Sequence, residues 1–189
     1  VTRTAKVRVV VDNPEGLLRA GMFAGVHLLG NESEQALTVP AEAVLFLKRA
    51  RRLLREDGAL LLGVDLKKDP QRLHDAYNDR AAVTARFTLN LLRRMNRELE
   101  ANFDLAAFAH DASYNEALGR IEIYFRSLRD QVVTVAGRRF EFAEGERIHT
   151  EYSYKYDDAD IAALTRRGGF SIAAIWTDPA RLFAVAFLK

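Results

Sequence analysis

The sequence predicts an α/β fold with an antiparallel β-rich insert, preceded by a small antiparallel β unit. Three observations predict it. An unbroken apolar run at residues 59–66 has the character of a sheet-core strand beside helical patterns. Residues 108–148 break into short alternating runs punctuated by Gly119, Gly137 and Gly145. Residues 4–11 alternate and are rich in valine, ending at the turn signal Asp12 to Gly16.

From the amino terminus, strand-like runs at 4–11, 22–29 and 36–39 make a three-stranded unit too small for confident independent stability. The strand pattern starts almost at Val1, which suggests a piece of something longer. Residues 46–56 read as a helix with Phe46, Leu47, Ala50, Leu53 and Leu54 on one face and five basic residues on the other. Without aromatic interleaving, that basic face reads as solvated rather than as a phosphate or membrane patch. The apolar run at 59–66 reads as a strand buried on both faces of a parallel sheet. Asp65, near its carboxyl end, either meets a ligand or caps the next turn.

Pro70 starts a short helix that ends at Tyr77. Residues 83–102 form the longest helix, with Val83, Phe87, Leu91, Met95 and Leu99, alongside Leu92, as its core stripe. An antiparallel meander follows, with His110 and Tyr114 as structural residues. In residues 148–156, Ile-His-Thr-Glu-Tyr-Ser-Tyr-Lys-Tyr, strict alternation puts His149, Glu151, Ser153 and Lys155 on one face. Ile148, Thr150, Tyr152, Tyr154 and Tyr156 take the other. A carboxylate beside a hydroxyl suits a ring with two nitrogens, because ionised Glu only accepts whereas Ser donates or accepts. A helix at 157–167 ends at Gly168 and Gly169, and two strands, 170–176 and 183–188, close the chain. Trp176 reads as core.

Composition narrows the function classes. Hydrophobic residues make up 49% of 189, enough for a packed core. Lys and Arg number 28 against 26 Asp and Glu, so no nucleic-acid footprint is written in the charge. With no cysteine there is no disulfide, thiol nucleophile or thiolate metal site. The four histidines, His27, His74, His110 and His149, have no metal-ligand spacing, so no metal site is expected. No apolar run is long enough to insert in a membrane.

The 148–156 segment closely resembles the substrate-binding strand of the L-histidine Nα-methyltransferases of the ergothioneine pathway. The same family is matched by residues 60–70 (Leu-Leu-Leu-Gly-Val-Asp-Leu-Lys-Lys-Asp-Pro) and 77–79 (Tyr-Asn-Asp). Further matches are 83–87 (Val-Thr-Ala-Arg-Phe) with Asn90, and 176–179 (Trp-Thr-Asp-Pro). Collinear matches run from about Phe46 to Lys189. The resemblance implies part of a class I, Rossmann-like methyltransferase sheet, with a substrate lobe inserted at about 75–155. It implies an S-adenosylmethionine-dependent enzyme that methylates the α-amino group of L-histidine. By resemblance, Glu151 and Ser153 grip the imidazole, Tyr77 bonds the substrate carboxylate and Ile123, with Tyr124 beside it, lines the pocket.

Residues 1–44 resemble another family, the β-barrel segment of periplasmic adaptor subunits of RND-type efflux pumps. The motifs are 13–16 (Asn-Pro-Glu-Gly), 18–24 (Leu-Arg-Ala-Gly-Met-Phe-Ala) and 37–44 (Leu-Thr-Val-Pro-Ala-Glu-Ala-Val). The Gly-rich turn and acidic residue that hold the methyl donor in such folds are missing upstream of Phe46, as is the family asparagine that helps hold the substrate. The pairing implies a fused or truncated form with impaired activity. An exposed sheet edge, prone to self-association, is expected beside residues 59–66. The methyltransferase part implies the cytoplasm, and the amino-terminal part the periplasm. The alternatives are a non-catalytic module that binds histidine or its betaine, and an adaptor-like interaction protein.

Overall fold

A computed structural model of the chain describes residues 40–55 and 57–189. The three strands expected at 4–11, 22–29 and 36–39 lie outside the described residues.

Helix α1 (Ala41–Leu53) begins directly after Pro40, five residues earlier than its apolar pattern suggested. It buries Val44 and Leu47, while Leu53, expected in the core, is 86% exposed. Helix α4 (Asp158–Gly168) packs across α1 at an unusually close approach. A Cβ built on Gly168 would lie 2.5 Å from Leu47 Cβ. Asp157 accepts from the Asp160 amide, Asp160 returns a bond to the Asp157 amide, and Gly169 closes the helix at φ +85°.

These helices cover one face of an antiparallel sheet. Its strand order is β1 (Leu60–Asp65), β8 (Phe183–Leu188), β7 (Ile172–Thr177). Val64, Leu66, Ala184, Ala186 and Leu188 pack there against Val44, Leu47, Ile161 and Leu164. Among the described residues nothing covers the other face. Leu61 is 64% and Trp176 55% exposed, so β1 is not buried on both faces, nor is Trp176 core. Nor does β1 join a parallel sheet: its only strand partner among the described residues is the antiparallel β8. One parallel bridge, Leu66 to Tyr156, extends it. A long apolar run distinguishes burial from its absence only when a second layer exists to cover it.

Helix α2 (Pro70–Tyr77) starts on Asp69, whose side chain accepts from the Arg72 amide. Helix α3 (Val83–Glu98) buries Leu92, as expected, and Thr88, while Val83 and Phe87 of the predicted stripe are about half exposed. Residues four apart drift about 40° per step around an α-helix, so a strict four-residue repeat cannot hold one face over four turns.

The insert is two pieces rather than one meander. Strands β2 (Phe108–Asn115), β3 (Arg120–Ser127) and β6 (Arg147–Tyr154) form one antiparallel sheet, while β4 (Gln131–Val135) and β5 (Arg138–Phe142) form a separate hairpin. The inner face of β3, Ile121, Ile123 and Phe125, is almost wholly buried. Helix α2 covers one end through Leu73 and Tyr77. Leu92, Phe103, Phe108 and Val133 cover the other.

Candidate substrate site

The register of β6 against β3 decides which side chains meet. Ser153 pairs with Ile121, Glu151 with Ile123 and His149 with Tyr124, so Thr150 is an extra residue, a β-bulge. The bulge breaks the strict alternation expected of residues 148–156. Glu151 and Ser153 stay on the Ile121–Ile123 face toward α2, but His149 turns to the opposite face and Ile148 to the inner one. There His149 stacks on Tyr152, ring centroids 3.9 Å apart, and meets Tyr124 edge-on at 5.3 Å. The Thr150 hydroxyl donates to the Ile123 carbonyl, 2.9 Å away, and closes the gap that the bulge opens.

On the inner face, Tyr77 and Ser153 come together across 76 residues, Oη to Oγ 2.8 Å. Lys155 joins them. Its Nζ donates to Tyr77 Oη and Ser153 Oγ, each at 2.8 Å, and lies 3.0 Å from Asp65 Oδ2. The other Asp65 oxygen is 2.6 Å from Lys68 Nζ. Asp65 thus faces the site from the carboxyl end of β1 and pairs with two lysines, rather than capping a turn. Main-chain bonds hold this meeting of the two sheets: Tyr156 N to Asp65 O at 3.0 Å, and Lys67 N to Tyr156 O at 2.9 Å.

The Glu151 carboxyl is raised above its ordinary value because surrounding protein removes water from the charged form, and the Lys155 charge pulls the other way. Its surface stays open to solvent, which tempers the push. Ile123, directly across the strand from Glu151, is 3% exposed and packs with Leu73, Ala112 and Ile121. His110, taken as structural, donates from Nε2 to the Tyr77 carbonyl at 3.0 Å and helps fix the end of α2.

The outer face carries a different set. Arg120 lies over the Tyr152 ring at 3.6 Å and pairs with Glu122 at 2.7 Å, and Arg147 lies over Tyr124 at 3.9 Å. Partial burial pushes the Tyr124 hydroxyl up to about 12, helped by its bond to Glu122. Tyr124, paired with Ile123 in the pocket expectation, faces this side and not the site.

Sequence reasoning placed Lys155 on the site face but gave it no role. The signal available was that its position, two beyond Ser153, ends the alternating stretch.

A methyl donor needs a Gly-rich turn between a strand and a helix. Among the described residues neither strand-to-helix passage contains glycine: residues 66–69 join β1 to α2, and residues 155–157 join β6 to α4. An open cleft of about 200 Å³ is lined by Leu66, Lys67, Tyr156, Asp157, Asp158 and Arg181 and likewise contains no glycine. The described residues do not fit the donor.

Comparison with known proteins gives two family matches. Residues 18–189 match the histidine-specific, SAM-dependent methyltransferases, and residues 1–32 the CusB-like β-barrel domain. The histidine N-alpha-methyltransferase of Mycolicibacterium smegmatis is 42% identical over 149 residues, 78% of this chain and 46% of that protein. That of Mycobacterium tuberculosis is 37% identical over 175 residues, 92% of this chain and 52% of that protein. Ergothioneine biosynthesis protein 1 of Neurospora crassa is 29% identical over 72% of this chain and 16% of its own length. A SAM-dependent methyltransferase from Clostridium acetobutylicum superposes with a TM-score of 0.36 at 11% identity, over 77% of this chain and 50% of that one. The chain spans about half the length of the two mycobacterial relatives. With nine-tenths of its length inside one family model, the chain belongs to the histidine-specific, SAM-dependent methyltransferase family.

Proposed function

We propose that this chain carries the histidine-binding part of a methyltransferase that places methyl groups from S-adenosylmethionine on the α-amino group of L-histidine. The observation that carries the reading is the meeting of Tyr77 with Ser153, 2.8 Å apart, on the sheet face that also presents Glu151. Glu151 accepts from one imidazole nitrogen and Ser153 serves the other. Tyr77 orients the carboxylate, and Ile123 floors the site beneath Glu151. A free α-amino group titrates near 8, so a modest push keeps it unprotonated and no strong general base is required. No reaction step is assigned to the described residues, because none of them supplies the donor site.

The substrate lobe is read at about residues 75–155, within a methyltransferase part at about 45–189. Val44 and Leu47 of α1 enter one core, which supports counting the first turn of α1 with that part as well. This part is assigned to the cytoplasm. No helix among the described residues is long and apolar enough to cross a membrane. The open face around Leu61 and Trp176 supports self-association along β1.

Calorimetric titration of the chain with L-histidine tests the reading. Binding by the wild type and its loss in Glu151→Ala are expected; equal uptake by both sinks the assignment. Missing donor residues favour a second reading, a module that holds histidine or its betaine without catalysis. Histidine affinity unchanged by added S-adenosylmethionine, with no methylated product, would support it.

A further inference from the structure

Lys155 is the most deeply buried polar side chain of the site, 2% exposed. An ammonium has three N–H donors and no acceptor. Tyr77 Oη and Ser153 Oγ, both at 2.8 Å, and Asp65 Oδ2, at 3.0 Å, use all three. We propose that Lys155 is a positioning residue that turns Ser153 and Tyr77 into hydrogen-bond donors toward the substrate, so that the site takes the imidazole as a neutral ring. This rests on the reading of the site as a histidine site.

A hydroxyl has one proton and two lone pairs. Lys155 occupies one lone pair on each oxygen, so both protons point away from it. Without substrate, one of those protons bridges Tyr77 and Ser153 and the other faces outward. When histidine enters, its carboxylate takes the Tyr77 proton and a bare ring nitrogen takes the Ser153 proton. Both oxygens remain anchored on Lys155. Glu151 accepts the remaining ring N–H.

An imidazolium would instead stand one hydroxyl away from a buried ammonium. That like-charge repulsion falls to Glu151 alone to offset, and Glu151 is open to water. Among the described residues, the titratable groups facing Lys155 are Asp65 at the end of β1, itself clamped by Lys68, Tyr77 from α2, Tyr114 from β2 and Glu151 from β6. The one carboxylate in contact with it, Asp65, lies on the side of β1.

The test uses histidine labelled with ¹⁵N in the ring, bound to the 189-residue chain at about pH 6, where free imidazole is mostly protonated. In the wild type, the ring nitrogens should give one protonated and one bare signal. Lys155→Met should shift the bound ring toward imidazolium and lower histidine affinity at pH 8 by roughly tenfold or more. Asp65 keeps Lys68 in that variant, and circular dichroism checks its fold. If the variant does not fold, the wild-type ring signals decide alone. An imidazolium bound to the wild type, or a folded Lys155→Met with unchanged ring signals and affinity, overturns the inference and leaves the histidine site standing. No histidine uptake by the wild type overturns the site and the inference together.

Discussion

Gly168→Ala puts two known effects in opposition, and geometry decides between them. In a helix, alanine is favoured over glycine by about 1 kcal/mol, so propensity alone predicts stabilisation. At this position the new Cβ would lie 2.5 Å from Leu47 Cβ and 2.9 Å from Leu47 Cδ1. Carbon atoms pack at about 3.5–4.0 Å, so α1 and α4 must separate by about 1 Å. The first clash is with Cβ, which is fixed to the backbone, and no rotamer of Leu47 relieves it. Leu47 is 1% exposed, in a cluster with Val44, Ile161 and Leu164. Separation therefore loosens a packed core, at a cost of about 1–3 kcal/mol. Subtracting the propensity gain leaves a net destabilisation of up to about 2 kcal/mol. For a chain of this length that lowers the melting temperature by up to about 8 °C. Thermal unfolding followed by circular dichroism measures it. A Gly168→Ala melting temperature above that of the wild type, as propensity alone predicts, refutes the close approach of the two helices.

Two further outcomes follow from named contacts. Asp157 is held below the ordinary carboxylate range, first by its bond to Lys67 and then by the Asp160 amide. A carboxyl depressed on folding stabilises above its unfolded value of about 4, and that stability is lost as pH falls through the lower folded value. The advantage of the wild type over Asp157→Asn in urea unfolding should be present at pH 7 and shrink below about pH 4; an advantage that does not change with pH rules out the ion pair as its source. Leu61→Lys, on the exposed face of the edge strand β1, should weaken self-association. Sedimentation velocity over a concentration series checks it, and identical profiles for the two chains count against pairing through that surface.

Much of the fold was legible because its signals are local. Asp157 and Gly169 bracket α4, Asp69 and Pro70 open α2, and glycines separate the strands of the insert. What escaped is set at long range. Nothing in Arg120 to Ser127 reveals that this strand takes β6 as its second neighbour rather than β4, because pairing partners are chosen by the tertiary core. Thr150 carries no mark of a bulge, being a common strand residue, so the alternation of residues 148–156 was carried two positions too far. The exposure of Leu61 was hidden for a like reason: hydrophobicity states what a residue favours, not whether a layer is there to provide it. In the site, the meeting of Tyr77 with Ser153 followed from family likeness and not from any spacing. Alternation put Lys155 on the right face, yet it was given no role, since a lysine at the end of an alternating stretch reads as a solvated charge.

The bulge at Thr150 has a consequence for how the strand tolerates change. It shifts the side-chain phase of β6 by one residue, so His149 and Glu151 face opposite sides although they are two apart. Deleting Thr150 would make them neighbours in a regular strand and leave them on opposite sides, whereas flattening the bulge with Thr150 retained would bring them to one side. Loss of a residue is therefore the change in length that this strand should absorb without exchanging its aromatic and polar surfaces.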